Sequence, residues 1–258
     1  MPVNQLKKLF NEAFNGKWAI GQFNISDFRM LKPIFEAARK LKSPVIIGIS
    51  ERQSKVLGLK KVAVLVRRLR KENCFPVFLN LDHARSFIYI KKAINAGYDS
   101  VHFDGSDLSL FKNISIAKKV VRYARKKNVL VEGEVGVIGG DLTEPKDALR
   151  FLKEIKVDIL AVSIGNIHGI MKTGKNNPPL SLKRLKEIRK KTGKTPLVLH
   201  GGSGTAKKDI EAVMKSGVVK INISTELKIA YKQKGLKAVQ KVVSNKINLF
   251  GSNNKLHD

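Results

Sequence analysis

The chain has 258 residues, 43% of them hydrophobic and 28% charged, so it can fill a sizeable core and is not a disordered polyelectrolyte. Its 50 Lys and Arg against 21 Asp and Glu give a formal charge of +29, which makes a polyanion partner the first hypothesis to weigh. Cys74 is the only cysteine, which excludes an internal disulfide framework; with no membrane-length apolar run and no signal-like N-terminus, a soluble cytoplasmic protein is expected.

The first segment, Asn4 to Asn15, places Leu6, Leu9, Phe10, Ala13 and Phe14 on one face of an amphipathic helix that ends at Gly16. Eight short apolar runs follow: Trp18 to Ile25, Val45 to Ser50, Pro76 to Leu81, Ser100 to Phe103, Val129 to Val135, Ile159 to Ile164, Pro196 to Leu199 and Val218 to Ile223. Continuous apolar runs of this length suit strands of a parallel sheet covered by helices. Between them lie helical patterns at Leu31 to Leu41, Leu59 to Arg70, Ile88 to Ala96, Ile114 to Lys127, Pro145 to Ile155, Leu182 to Lys191 and Lys207 to Ser216. Strand and helix alternate with no linker or low-complexity segment inside, which predicts one domain over residues 1–258, an α/β fold of the (β/α)8 TIM-barrel type with a polar tail at 251–258.

Lys and Arg concentrate in the helical stretches, among them Arg67 to Lys71, Lys118 to Lys127, Lys183 to Lys194 and Lys228 to Lys241, while the strands carry almost none. In a barrel this spreads positive charge around the outer ring of helices instead of building one stripe with interleaved aromatics. Aromatics make up only 7% of the chain. Nucleic-acid binding is therefore not read as the primary function.

Barrel enzymes carry their chemistry at the C-terminal ends of the strands, and those ends are polar here. Strand three runs into Leu81-Asp82-His83, strand four into Asp104-Gly105-Ser106 and strand five into Glu132-Gly133-Glu134. Strand six leads to Gly165-Asn166-Ile167-His168-Gly169, strand seven to His200-Gly201-Gly202-Ser203-Gly204 and strand eight to Asn222-Ile223-Ser224-Thr225. His83, His168 and His200 thus occupy equivalent positions on three strands, and three neutral imidazoles with an open coordination position form a catalytic Zn2+ site. His102, inside strand four, reads as a packing residue, and His257 belongs to the tail. Asp82 beside His83 is either a general acid/base or a partner that orients a ligand. Asp104 and Glu134 either offer a second metal position or hydrogen-bond the histidines. The Gly201 to Thr205 turn, followed by a helix from Lys207, suits a phosphate, and Asn222 to Thr225 add donors where this fold usually binds one.

Taken in order, Leu81-Asp82-His83, Phe103-Asp104-Gly105-Ser106, Glu132-Gly133-Glu134-Val135-Gly136, Gly165-Asn166-Ile167-His168-Gly169, Leu199-His200-Gly201-Gly202-Ser203-Gly204 and Lys220-Ile221-Asn222-Ile223-Ser224-Thr225 resemble the class II, metal-dependent fructose- and tagatose-bisphosphate aldolases over nearly the whole chain. The resemblance implies that His83, His168 and His200 bind Zn2+, that Asp104 and Glu134 form an alternative metal position, and that Asp82 is the proton donor. It further implies that Gly169, Gly201, Gly202, Ser203, Asn222, Ile223, Ser224 and Thr225 hold dihydroxyacetone phosphate and that Ser50 meets the aldehyde. A monovalent cation such as Na+ and a dimeric or tetrameric homo-oligomer are also implied, with fructose 1,6-bisphosphate as the leading substrate in glycolysis and gluconeogenesis and its C4 epimer tagatose 1,6-bisphosphate as the alternative. Two features depart from the family pattern. Gly139-Gly140 leads to Asp141-Leu142-Thr143-Glu144 and almost directly into a helix, with Leu142 at the second acidic position, so either Glu144 substitutes or the chain is a catalytically weakened relative with slow turnover. A further helical element between Leu227 and Phe250 is missing.

Overall fold

Eight short strands, joined in chain order by helical crossovers, pair in parallel from first to last and close into a barrel. The computed structural model describes residues 2–171 and 177–256. The elements run α1 (Pro2–Gly16), β1 (Ile20–Asn24), a 3-10 turn (Phe28–Met30), α2 (Leu31–Lys40), β2 (Val45–Ser50), α3 (Glu51–Leu57), α4 (Leu59–Asn73), β3 (Val77–Ala84), α5 (Phe87–Ala96) and β4 (Ser100–Phe103). They continue with α6 (Leu110–Lys126), β5 (Leu130–Val135), α7 (Pro145–Glu154), β6 (Ile159–Val162), α8 (Leu182–Thr192), β7 (Leu197–Leu199), α9 (Lys207–Lys215), β8 (Val218–Ile223) and α10 (Thr225–Leu249). Serine side chains start several helices: the hydroxyls of Ser50, Ser86, Ser109 and Ser181 each accept a main-chain N–H in the first turn of α3, α5, α6 and α8.

The period-two geometry of a strand sorts its residues between two environments. Outward side chains such as Phe23, Ile47, Leu79, Val101, Val131 and Leu160 join the layer between barrel and helices. Inward side chains divide by height. At the N-terminal end of the bore, Ile20, Ile46, Phe78, Leu130, Ile159 and Val198 form a separate apolar core, closed from below by Leu6, Leu9, Phe10 and Ala13 of α1. Above it the bore turns polar. Gln22, Asn80 and Ser100 are linked by Asn80 Nδ2 to Gln22 Oε1 at 2.9 Å and Ser100 Oγ to Asn80 Oδ1 at 2.8 Å. Gly48 makes room for this layer, since a Cβ there would stand 1.9 Å from Asn24 Oδ1.

The expected barrel is present, with several boundaries moved. Strand three continues to Ala84, whereas β5 falls within the expected Val129 to Val135 run, with Glu132 and Glu134 inside it. Helix α3 was not foreseen, and the basic stretch after Lys228 is part of one long α10, interrupted at Gly235 by a non-helical φ of 73°. The tail is not loose through residue 256: Ser252 is buried, with Ser43 Oγ donating to its Oγ at 2.9 Å. His257 lies outside the described residues. Among the described residues, no helix is long and apolar enough to cross a membrane.

Candidate active site

Above the polar layer, the strand ends surround a cavity of about 230 Å3 lined by Asn24, Ser50, Asp82, His83, His168 and His200, and by Gly169, Gly201, Ser203, Asn222, Ser224, Thr225 and Lys228. That volume lies below the roughly 300–1,000 Å3 of drug-sized ligand sites and suits a small polar ligand. Asp82 sits at its floor, 2% exposed. Both carboxylate oxygens are held by amides: Asn24 Nδ2 donates to Oδ2 at 2.7 Å and Asn222 Nδ2 to Oδ1 at 3.1 Å. Burial raises the affinity of this carboxyl for a proton, but the charges and hydrogen bonds of His83, His102, His200 and Lys220 outweigh it and hold Asp82 well below the usual carboxylate range.

His83 stands next to it with φ of 48°, a left-handed conformation that non-glycine residues adopt at a cost of about 1–2 kcal/mol. The β3–β4 register shifts between Leu81 and Ala84 at this point. A bulge therefore aims the ring of His83, the use such irregularities commonly serve beside active sites. Its Nδ1 lies 2.9 Å from Asp104 Oδ2 and 3.8 Å from Glu134 Oε2.

Three imidazoles gather here. The His83 ring centroid is 4.5 Å from that of His200 and 4.9 Å from that of His168, while His168 and His200 are 6.3 Å apart. His168, on the loop after β6, forms the outer edge of the cluster; burial, helped by the neighbouring imidazoles, pushes its pKa down to about 4. Burial likewise lowers that of His200. Neutral imidazoles are the form that coordinates metal. His200 also has its tautomer set. Its Nε2 lies 2.7 Å from Glu132 Oε1, so Nε2 carries the hydrogen, and Nδ1 accepts from Asn222 Nδ2 at 3.1 Å. Glu132 in turn is paired with Lys220, and both are 1% exposed.

The fourth imidazole is His102. The sequence expectation of a packing residue is corrected by its position: fully buried on the inward face of β4, it accepts the main-chain N–H of His83 at Nδ1, 3.1 Å, and puts Nε2 3.1 Å from Glu134 Oε2. Donor atoms of Asp82, His83, His102 and His200 lie within 4.8 Å of one another, as do those of His83, Asp104 and Glu134.

The chemistry of this cluster fits a divalent cation. Asp82, Asp104, Glu132 and Glu134 are all buried carboxyl groups, whereas Lys220 is the one ammonium among them. Neighbouring carboxylates raise the proton affinity of His83 and His102 against the opposing effect of burial, so this excess of buried negative charge is balanced either by protons on those rings or by a metal. His102 Nε2 and Glu134 Oε2 face one another at 3.1 Å, and neither makes a well-directed hydrogen bond among the described residues.

The opposite wall is built for an anion. Gly201 has φ of 67°, and a Cβ on it would stand 2.1 Å from the main-chain oxygen of Ile167, so only glycine permits this close approach of the two loops. Ser203, Ser224 and Thr225 add hydroxyls, and the first turn of α10 opens beside them. Asn177 Nδ2 braces both loops by donating to Gly169 O at 3.0 Å and Ser203 O at 2.9 Å. Gly201→Ala is expected to cost at least about 2 kcal/mol from backbone strain and overpacking. Thermal unfolding should read this as a Tm lower by about 4–8 °C.

Two expected substrate contacts are not brought to the cavity. Ile223 is fully buried among the outward core side chains, and the N–H of Gly202 is already donated to Asn222 O at 3.1 Å. Ser50 lines the cavity, but its hydroxyl also caps α3 by accepting from Gln53 N at 3.2 Å. Glu144 does not reach the site: Arg184 Nη1 holds its Oε1 at 2.7 Å. Asn24, His102, Glu132, Lys220 and Lys228 were missed. For the four on or beside strands the signal is the spacing of polar residues by two inside apolar runs, as in Gln22/Asn24, Asn80/Asp82 and Glu132/Glu134, whereas Lys228 lies in the first turn of α10.

Residues 4–255 match the family described as class-II fructose-bisphosphate aldolase. The fructose-bisphosphate aldolase of Geobacillus stearothermophilus is 36% identical over 263 residues, covering 97% of this chain and 89% of that protein. A 6-phospho-5-dehydro-2-deoxy-D-gluconate aldolase of Bacillus licheniformis is 37% identical over 287 residues, covering 99% and 97%. Among solved structures, the YdjI aldolase of Escherichia coli K12 superposes with a TM-score of 0.88 at 30% identity, covering 98% of both chains.

Proposed function

Since the chain belongs to the class-II fructose-bisphosphate aldolase family, we propose that it is a zinc-dependent lyase that reversibly cleaves fructose 1,6-bisphosphate to dihydroxyacetone phosphate and glyceraldehyde 3-phosphate. The observation that carries this reading is Asp82, held by Asn24 and Asn222 between the imidazole cluster and the anion-binding wall.

In this reading His83, His168 and His200 hold the metal, with Asp104 and Glu134 offering an alternative position. When bound, zinc supplies Lewis-acid stabilisation of the negative charge that develops at the ketone oxygen as the C3–C4 bond breaks. The phosphate of the ketose sits against Gly169, Gly201, Ser203, Ser224 and Thr225, which fixes the C3–C4 bond over the carboxylate. Asp82 accepts the C4 hydroxyl proton during cleavage and returns it to the aldehyde oxygen during condensation. The two amides that grip its oxygens keep the carboxylate from rotating away from that proton. Ser50 faces the aldehyde half of the substrate.

The similarity to the Bacillus licheniformis protein favours a second reading, in which the ketose cleaved is 6-phospho-5-dehydro-2-deoxy-D-gluconate. Both share the phosphate wall and the proton acceptor and differ in the aldehyde released. A coupled cleavage assay on fructose 1,6-bisphosphate, its C4 epimer tagatose 1,6-bisphosphate and the gluconate derivative ranks them by kcat/KM. Activity is expected to vanish on thorough chelation and to return with added Zn2+; cleavage that survives chelation overturns the metal-dependent mechanism.

A further inference from the structure

Four outer helices, α4, α6, α8 and α10, carry six Lys and Arg each, and of these only α6 has no acid to offset them. Helix α6 carries Lys112, Lys118, Lys119, Arg122, Arg125 and Lys126 without one acidic residue. Between α6 and α7 runs an open groove of about 390 Å3, lined by Phe111, Ser115, Lys118, Lys119 and Arg122 on one wall and by Arg150 and Glu154 on the other. Glu154 is the only acid in it, and Lys118 Nζ engages its carboxylate at 2.6 Å. Lys119, Arg122 and Arg150 are exposed and, among the described residues, have no carboxylate within ion-pair distance. At the N-terminal end of the groove Phe111 is 71% exposed, an aromatic ring left in water beside a row of cations.

We infer that this groove binds single-stranded nucleic acid, with Phe111 stacking on one base and Lys119, Arg122 and Arg150 contacting the phosphates. The spacing suits it. Phe111, Ser115, Lys118 and Arg122 follow one another at four, three and four residues and so share a ridge about 16 Å long at 1.5 Å per residue. That reach covers two to three nucleotides of an extended strand. An aromatic platform in a cationic groove is the usual means of holding a strand without reading its sequence. A duplex keeps its bases stacked and would leave Phe111 without a partner. A membrane surface would call for an apolar helix face, whereas α6 presents one exposed ring among cations. The remaining excess charge of the chain raises the concentration of any polyanion near the groove.

Fluorescence anisotropy of a labelled oligouridine on the full-length, zinc-loaded protein tests this. Binding is expected, with a log K against log salt slope of about −2 for three phosphate contacts. Lys119→Glu/Arg122→Glu should weaken it by about tenfold or more and flatten the slope by about 1.4. Phe111→Ala should weaken it by about fivefold or more without changing the slope. Circular dichroism and the cleavage assay confirm that each variant is folded, since all three positions lie on the outer helix face. The inference is overturned if these variants bind like the parent, if the parent binds no oligomer, or if it prefers duplex or phosphatidylserine vesicles to the single strand.

Discussion

Asp82→Asn is expected to lower kcat for cleavage by about 10²- to 10⁴-fold, the range that positioned acid–base groups contribute, while KM changes far less. The substitution keeps the shape of the side chain and removes its ability to take a proton. Its structural cost is small but real. Asn24 and Asn222 both donate to the carboxylate, so the new amide NH2 must face one donor and forfeit one of the two hydrogen bonds. That loss is worth about 1–3 kcal/mol for buried groups, so the variant should fold with a lowered Tm. Zinc content measured on the purified variant separates the proton-transfer role from a ligand role, because the proposed imidazole ligands are untouched. A kcat within about tenfold of the parent would remove Asp82 from the proton-transfer step.

What could be read in the sequence follows from where polarity interrupts an apolar run. His83, His168 and His200 stood out because each falls where such a run stops, and the fold brings those stops to one rim. His102 failed the same test because it lies inside its run, with Val101 and Phe103 on either side facing the outer core. Continuous apolar runs point to strands that are apolar on both faces, whereas the upper bore is polar. Only the alternation Ser100, His102, Asp104 marks the inward set on β4. The pairing of Glu132 with Lys220 spans 88 residues, and no local pattern points to it. The backbone of His83 was likewise beyond reach, since nothing in Asp82-His83-Ala84 announces a left-handed residue in a strand. The groove was beyond reach too: the uniform sign of α6 becomes a groove only when α7 packs alongside and adds Arg150.

Lys220→Met should destabilise the protein by about 3–5 kcal/mol, the usual cost of removing one partner of a buried ion pair. Lys220 donates to Glu132 deep in the bore, where each side chain is 1% exposed and water cannot replace the lost ammonium. The ammonium and His102 keep Glu132 far below the usual carboxylate range against the opposing effect of burial. That charge has a second use, because Glu132 Oε1 receives the Nε2 hydrogen of His200 at 2.7 Å and so leaves the lone pair on Nδ1, where Asn222 Nδ2 donates to it at 3.1 Å. Orienting partners of this kind commonly contribute 10- to 100-fold to metal affinity. Glu132→Gln, which keeps the volume and removes the charge, is therefore expected to weaken zinc binding by about 10- to 100-fold in a competitive chelator titration. A purely structural pair would lower Tm in both variants and leave the zinc affinity of the folded Glu132→Gln protein unchanged. Loss of zinc affinity in a variant that still unfolds cooperatively would instead tie the buried ammonium, through Glu132, to the nitrogen that His200 presents.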